Sequence, residues 1–247
     1  MASKREEKLN GKIALITGGS RGIGKAIAMA YAREGAGVFI CARSDADLNR
    51  AVADIRAMGG EAHGCIGDVS DPVQAKAIVQ AALEQFGKLD VLVNNASFLG
   101  PRVPIAQYPV SAWEDVVRIN LTGTFLMIQE ALKAMIPQRR GSVINVSSGV
   151  GRVGKARWGA YAASKFGVEG LTQVLADEVS EFGIRSNSVN PGPTRTEMRA
   201  LAYPEEDPLT LPTPEHVAPV FVYLASDDSA AVTGQSLDAQ DWLKHLH

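Results

Sequence analysis

The chain has 247 residues, 46% hydrophobic and 21% charged, which is enough to bury a sizeable core without disulfides or structural metal. Its 25 Lys and Arg against 27 Asp and Glu give a formal net charge of -2, which excludes a disordered composition and a strongly basic nucleic-acid surface. Two cysteines, Cys41 and Cys65, do not make a secreted disulfide framework, and no run approaches a membrane span, so a cytoplasmic protein without nucleic-acid or membrane partners is expected.

In chain order, apolar runs predict strands at 12–17, 37–42, 62–67, 89–94, 142–147 and 184–190. Between them, apolar residues three and four apart predict helices at 22–33, 46–58, 72–86, 110–136 and 159–182. Strands and helices alternate, and the strands are apolar on both faces. This is the pattern of an α/β fold with a mostly parallel, doubly wound sheet covered by helices on both sides. Ser44 or Asp45 can cap the second helix, Ser70 and Asp71 precede Pro72 at a first-turn position, and Gly59-Gly60 can close a helix. No linker or repeat divides the chain, so a single domain is expected from about residue 10 to about residue 239, after a charged tail at 1–9. Five prolines between 193 and 214 mark a loop of the lid or binding kind.

Directly after the first strand, residues 17–24 read TGGSRGIG and lead into a helical run. Small residues at such a turn let backbone N–H groups and a helix N-terminus approach a pyrophosphate. The strict G-x-G-x-x-G spacing is absent, so an ordinary glycine turn remains the plain alternative. Gly18, Ser20, Arg21, Gly22, Ile23 and Gly24 are the candidate phosphate-side residues. About 20 residues on, where an acid would bond the ribose of NAD, the second strand ends in Ala42 and Arg43. Arg43 together with Arg21 can clamp a 2′-phosphate, which makes NADP(H) the preferred cofactor and leaves NAD(H) as the alternative.

Tyr161 and Lys165, four apart at the opening of a helical pattern, share one helix face, and a neighbouring ammonium favours the phenolate of a tyrosine. A chance surface pair is the competing reading. Thirteen residues before Tyr161, Ser147 and Ser148 follow the fifth strand, where a doubly wound sheet places its ligands. With T-G-x-x-x-G-I-G at 17–24, D-V at 68–69, N-N-A at 94–96, I-N at 119–120, S-S at 147–148, Y-x-x-x-K at 161–165 and N-P-G at 190–192, the chain resembles the short-chain dehydrogenase/reductase family over nearly its whole length. Within that family it is similar to 3-oxoacyl-carrier-protein-reductase-like members with a shortened lid.

The resemblance implies a single Rossmann-type domain of about seven strands. It implies hydride transfer between NADP(H) and a small-molecule carbonyl or secondary alcohol, and a catalytic set of Asn120, Ser148, Tyr161 and Lys165. In that scheme Tyr161 is the proton donor, Ser148 holds the substrate oxygen, and Lys165 bonds the nicotinamide ribose and lowers the tyrosine pKa. Asn120 holds a water of the proton relay. Asp68 and Val69 contact adenine, Asn94 and Ala96 line the cofactor cleft, and Pro191, Gly192, Thr194 and Thr196 fix the carboxamide side. The family also implies a homotetramer packed through the helices at 110–136 and 159–182, with a dimer as the fallback.

Two features depart from the pattern: N-N-A is followed by Ser97 instead of glycine, and the lid and the C-terminal segment are atypical. Trp158 is expected to line the substrate pocket or to pack under the lid. His63, His216, His245 and His247 have no metal-ligand spacing, no metal is expected, and no Arg cluster for a phosphate or carboxylate stands out. An NAD-linked alcohol, sugar or steroid dehydrogenase and a non-catalytic NADP(H)-binding protein are the competing readings.

Overall fold

The computed structural model describes residues 7–244. The apolar runs form strands β1 (Ile13–Thr17), β2 (Gly37–Ala42), β3 (Ala62–Ile66), β4 (Val91–Asn94), β5 (Gly141–Val146), β6 (Ile184–Asn190) and β7 (Ser236–Asp238). They make one sheet in the order β3-β2-β1-β4-β5-β6-β7, with every neighbouring pair parallel. Central strands β1, β2 and β4 are buried at every residue, as a sheet covered on both faces requires, whereas edge strand β3 alternates.

Nine helices in the described residues, α1 (Gly22–Arg33), α2 (Asp45–Ala57), α3 (Pro72–Phe86), α4 (Val110–Val117), α5 (Gly123–Gln138), α6 (Gly159–Glu178), α7 (Glu197–Ala202), α8 (Pro214–Ala225) and α9 (Ala239–Lys244), complete the fold. One face of the sheet packs α1, α2 and α8 around Ile27, Tyr31, Ile55 and Phe221, and the other packs α3, α5 and α6 around Ile78, Met127, Met135 and Leu175. The caps follow the sequence. Ser44 accepts from Asp47 N at the start of α2, Asp71 accepts from Val73 N and Gln74 N at the start of α3, and Gly59 takes φ +87° after α2.

Three expectations are corrected. The single helix expected over 110–136 is interrupted by a π-helical turn, Arg118–Thr122, whose wide i→i+5 geometry accommodates the inward-facing Asn120. The helix expected to reach 182 ends at Glu178, and the chain tightens into a 3₁₀ turn, Ser180–Phe182. The proline-rich lid is no plain loop: Thr196 caps α7 through Arg199 N, and Pro208–Thr210 forms a 3₁₀ turn on Asp207. The packed unit also extends past its expected ends. Leu9 is fully buried, and Trp242 on α9 lies 5.2 Å from the ring of Tyr223.

Candidate active site

The sheet order reverses between β1 and β4, and the crevice beyond the C-terminal ends of these strands is where such sheets bind ligands. The turn after β1 is held from across that crevice. Thr17 Oγ1 accepts from Asn95 N (2.9 Å) and Ala96 N (3.0 Å), and Asn95 Nδ2 donates to the Thr17 and Gly18 carbonyls at 3.0 and 3.1 Å. Gly18 takes φ +62°, and a Cβ on Gly24 would strike the Gly18 carbonyl oxygen, so the tightness of the turn explains both glycines. Asn95, absent from the expected site residues, is thus the anchor of the turn; its only sequence signal is its place in the N-N-A run.

Unlike α2 and α3, α1 begins without a side-chain cap, leaving the N–H groups of its first turn to an external acceptor. Ser20, Gly22 and Ile23 are half-buried at this end of α1. Gly19 N donates to Cys41 O (3.2 Å), which docks the turn on the end of β2 where Arg43 stands exposed. Arg21 is tied across the crevice to Glu197 of the lid.

Asp68 accepts from Ser70 N and Ser70 Oγ and faces Arg118, and Val69 is buried beside it. Burial raises the Asp68 pKa, but these hydrogen bonds and the Arg118 charge outweigh it and hold the carboxyl below its ordinary value. Asn94 is turned into the fold: its Nδ2 donates to Asn145 Oδ1 (2.9 Å), and Asn145 Nδ2 donates to Thr172 Oγ1 on α6 (2.9 Å). Ala96 remains half-buried on the crevice side of the glycine turn.

The first turns of α6 carry Tyr161 and Lys165 into the crevice. Lys165 is 2% exposed; its Nζ donates to Val146 O at 2.7 Å and lies 5.6 Å from the Tyr161 ring centroid. Burial lowers the Lys165 pKa to about 8, against the opposing charge of Glu169. The Tyr161 hydroxyl meets Ser148, and Ser97 Oγ approaches it too, although that oxygen is buried without a partner in hydrogen-bonding geometry.

The expected depression of the Tyr161 pKa is not what this arrangement produces. Burial raises it, Ser148 and Ser97 only soften the rise, and the Lys165 ammonium is spent on a main-chain carbonyl. Asn120 is fully buried, with Nδ2 donating to Phe98 O (3.0 Å) and Ser164 Oγ (3.1 Å) and Oδ1 accepting from Phe98 N (2.7 Å). Its side chain therefore clamps the loop after β4 to α6.

The far wall of the crevice is the turn after β6. Thr194 Oγ1 folds back on the Pro191 and Gly192 carbonyls, and Thr196 is occupied as the cap of α7. Gln240 Nε2 supports this turn through Pro193 O (2.9 Å) and Pro191 O (3.3 Å), and Asp238 binds Asn190 and Arg152. No local motif announced either residue. Trp158 is buried edge-on against Tyr161, with ring centroids 5.5 Å apart, and it also packs under the lid at Tyr203.

His63 stacks edge-on with Phe86 and His216 completes the cap of α8, while His245 and His247 lie outside the described residues. Among the described residues no three His, Cys, Asp or Glu gather as metal ligands, and no helix is long and apolar enough to cross a membrane.

Residues 12–207 match the family model for short chain dehydrogenase. The chain is 40% identical to the uncharacterized oxidoreductase YciK of Escherichia coli over 239 residues, covering 96% of this chain and 94% of that protein. It is 38% identical to the 3-oxoacyl-(acyl-carrier-protein) reductase FabG of Thermotoga maritima, covering 92% and 96% respectively. A short chain dehydrogenase of Shigella flexneri solved in complex with NADP superposes with a TM-score of 0.91 at 40% identity, over 96% of this chain and all of that one. Sequence and fold thus agree along almost the whole length, and the chain belongs to the short chain dehydrogenase family.

Proposed function

We propose that this chain is an NADP(H)-dependent reductase that converts an aldehyde or ketone to the alcohol, with Tyr161 as proton donor. The observation that carries this reading is the convergence of the Tyr161 hydroxyl, Ser148 and buried Lys165 on the crevice that also receives the uncapped start of α1.

The residues fit a dinucleotide. The free N–H groups of α1 suit a pyrophosphate, and exposed Arg43, which makes no ion pair among the described residues, suits a 2′-phosphate. Arg21 joins it if the lid acid Glu197 shares it. Asp68 and Val69 would border the adenine, Ala96 the cleft, and Pro191, Gly192, Thr194 and Thr196 the carboxamide. Solved relatives from Shigella flexneri and Escherichia coli in complex with NADP and NADPH support the same cofactor here.

When bound, the reduced dinucleotide supplies the hydride to the carbonyl carbon. Ser148 then holds the carbonyl oxygen and Tyr161 gives it a proton. A raised tyrosine pKa suits this direction, because the phenol is fully protonated near neutrality and the carbonyl oxygen becomes strongly basic only as it is reduced. Lys165, 5.6 Å from the ring, favours the phenolate left behind by its charge, and the phenolate regains its proton from solvent once the alcohol has left. Asn120 acts by fixing the loop that carries Ser97 and Phe98.

Fluorescence titration with NADPH and NADH, followed by turnover on a panel of aldehydes and ketones, tests the reading. Tight NADPH binding without turnover on any carbonyl would favour a non-catalytic dinucleotide-binding protein, and equal affinities would favour an NAD-linked dehydrogenase. A cytoplasmic homotetramer is part of the proposal. Phe125 on α5 and Phe166 and Val174 on α6 are 44%, 46% and 54% exposed, apolar surface that a second copy would cover. Light scattering at micromolar concentration checks it, with a dimer as the fallback and a monomer as the refutation.

A further inference from the structure

The loop after β4 brings Arg102 under the lid. Its guanidinium carbon lies 4.7 Å from the ring centroid of Trp158 and 4.5 Å from that of Tyr203, so two aromatic rings flank the charge. Nη1 donates to the Ala202 carbonyl. Nε is buried with no acceptor, and no carboxylate among the described residues forms an ion pair with this guanidinium. Arg199, whose guanidinium carbon lies 3.9 Å from the Tyr203 ring centroid, is instead satisfied by Glu206 at 2.6 and 2.7 Å.

Lys155, which makes no ion pair among the described residues, adds a second cation, with Nζ 3.2 Å from the Tyr203 hydroxyl. Burial raises the Tyr203 pKa, but the Lys155 hydrogen bond and the charges of Lys155, Arg102 and Arg199 outweigh it and lower the phenol, as a local excess of positive charge requires. The excess stands beside the reacting group. Trp158 contacts both Arg102 and, edge-on at 5.5 Å between ring centroids, Tyr161.

A latch between the loop and the lid would account for the ring stacking and for Nη1, but not for an orphaned buried Nε. A buried donor without an acceptor is costly, and the Nε edge of a guanidinium matches the two oxygens of a carboxylate. We propose that Arg102, with Lys155 beside it, binds a carboxylate carried by the carbonyl substrate. The substrate class is then an oxo acid. The proposal rests on the reduction chemistry proposed above. Arg102 carries no signal in the sequence, since it is isolated along the chain and gains its aromatic neighbours only from the loop before α6 and the lid.

The test compares para-carboxybenzaldehyde with its methyl ester in two assays: turnover with NADPH, and calorimetric binding in the presence of NADP+. The wild-type protein should prefer the acid. In Arg102→Met the acid-to-ester ratio of kcat/KM should fall at least tenfold, and the dissociation constant of the acid should rise by a similar factor. Arg102→Lys, which keeps the charge, should retain part of the ratio and covers the case in which the methionine variant does not fold. A parallel fall for acid and ester assigns Arg102 to lid support and overturns the proposal, as does an unchanged ratio. If neither compound turns over in the wild type, binding decides. Selective acid binding lost in Arg102→Met upholds the site while the reduction reading fails, and equal binding of acid and ester overturns the site.

Discussion

Lys165→Met should uncouple stability from pH in a window fixed by the burial of this one ammonium. In the folded protein Lys165 releases its proton near pH 8, whereas in the unfolded chain it holds the proton to about 10.5. Between these values the unfolded state binds more protons, so the wild-type protein gains stability as pH rises through the window. Lys165 is fully buried, so no solvent screening discounts the effect, and linkage gives a gain of about 2–3 kcal/mol between pH 7 and pH 10. Methionine fills similar volume and does not titrate. The variant loses the hydrogen bond to Val146 O, but that loss is the same at both pH values and cancels in the comparison. Urea unfolding of both proteins at pH 7 and pH 10 reads the difference, a relative midpoint shift on the order of 1 M toward the wild type at the higher pH. A wild-type-minus-variant stability that stays constant across the two pH values would refute the reasoning, because it would mean that water reaches the ammonium.

Three further outcomes are expected. Arg43→Ala should lower the NADPH-over-NADH preference at least tenfold, about 1.4 kcal/mol, by fluorescence titration, because Arg21 is engaged by Glu197 and Arg43 is left to discriminate; an unchanged preference would remove Arg43 from the site. Asn120→Ala leaves the Phe98 N–H and C=O without their partner, at a cost of about 2–3 kcal/mol, so Tm should fall by several degrees, and a Tm within one degree of wild type would contradict the clamp. The kcat/KM for carbonyl reduction should decline as pH rises through about 8, where Lys165 loses the charge that favours the departing phenolate; a profile flat to pH 9.5 would exclude that role.

The elements and their order were legible because they rest on local signals: apolar runs for the buried strands, i,i+3/i+4 spacing for the helices, and capping residues at Ser44 and Asp71. That Tyr161 and Lys165 share one face of α6 was legible for the same reason, since four residues along a helix fix one face. What the sequence concealed comes from contacts between distant segments. The π turn at Arg118–Thr122 accompanies an amide that reaches the loop after β4, and no periodicity registers that. Asn95 and Gln240 act on turns far from them in the chain. The direction of the Tyr161 pKa is not legible either, because spacing reports proximity to Lys165 but not burial, nor the carbonyl that claims the ammonium. The lid helix is not legible because it is only six residues long among prolines, and its one cap is the Thr196 hydroxyl.

Tyr161→Phe tests the central claim most directly, because it removes one oxygen from the crevice and leaves the glycine turn, Arg43 and the far wall untouched. Turnover of NADPH on a reducible carbonyl should fall at least about a hundredfold, the usual cost of removing a positioned acid, while the NADPH dissociation constant stays within about threefold of the wild-type value. Near-normal turnover in Tyr161→Phe would contradict the assignment of the proton donor and, with it, the proposed mechanism.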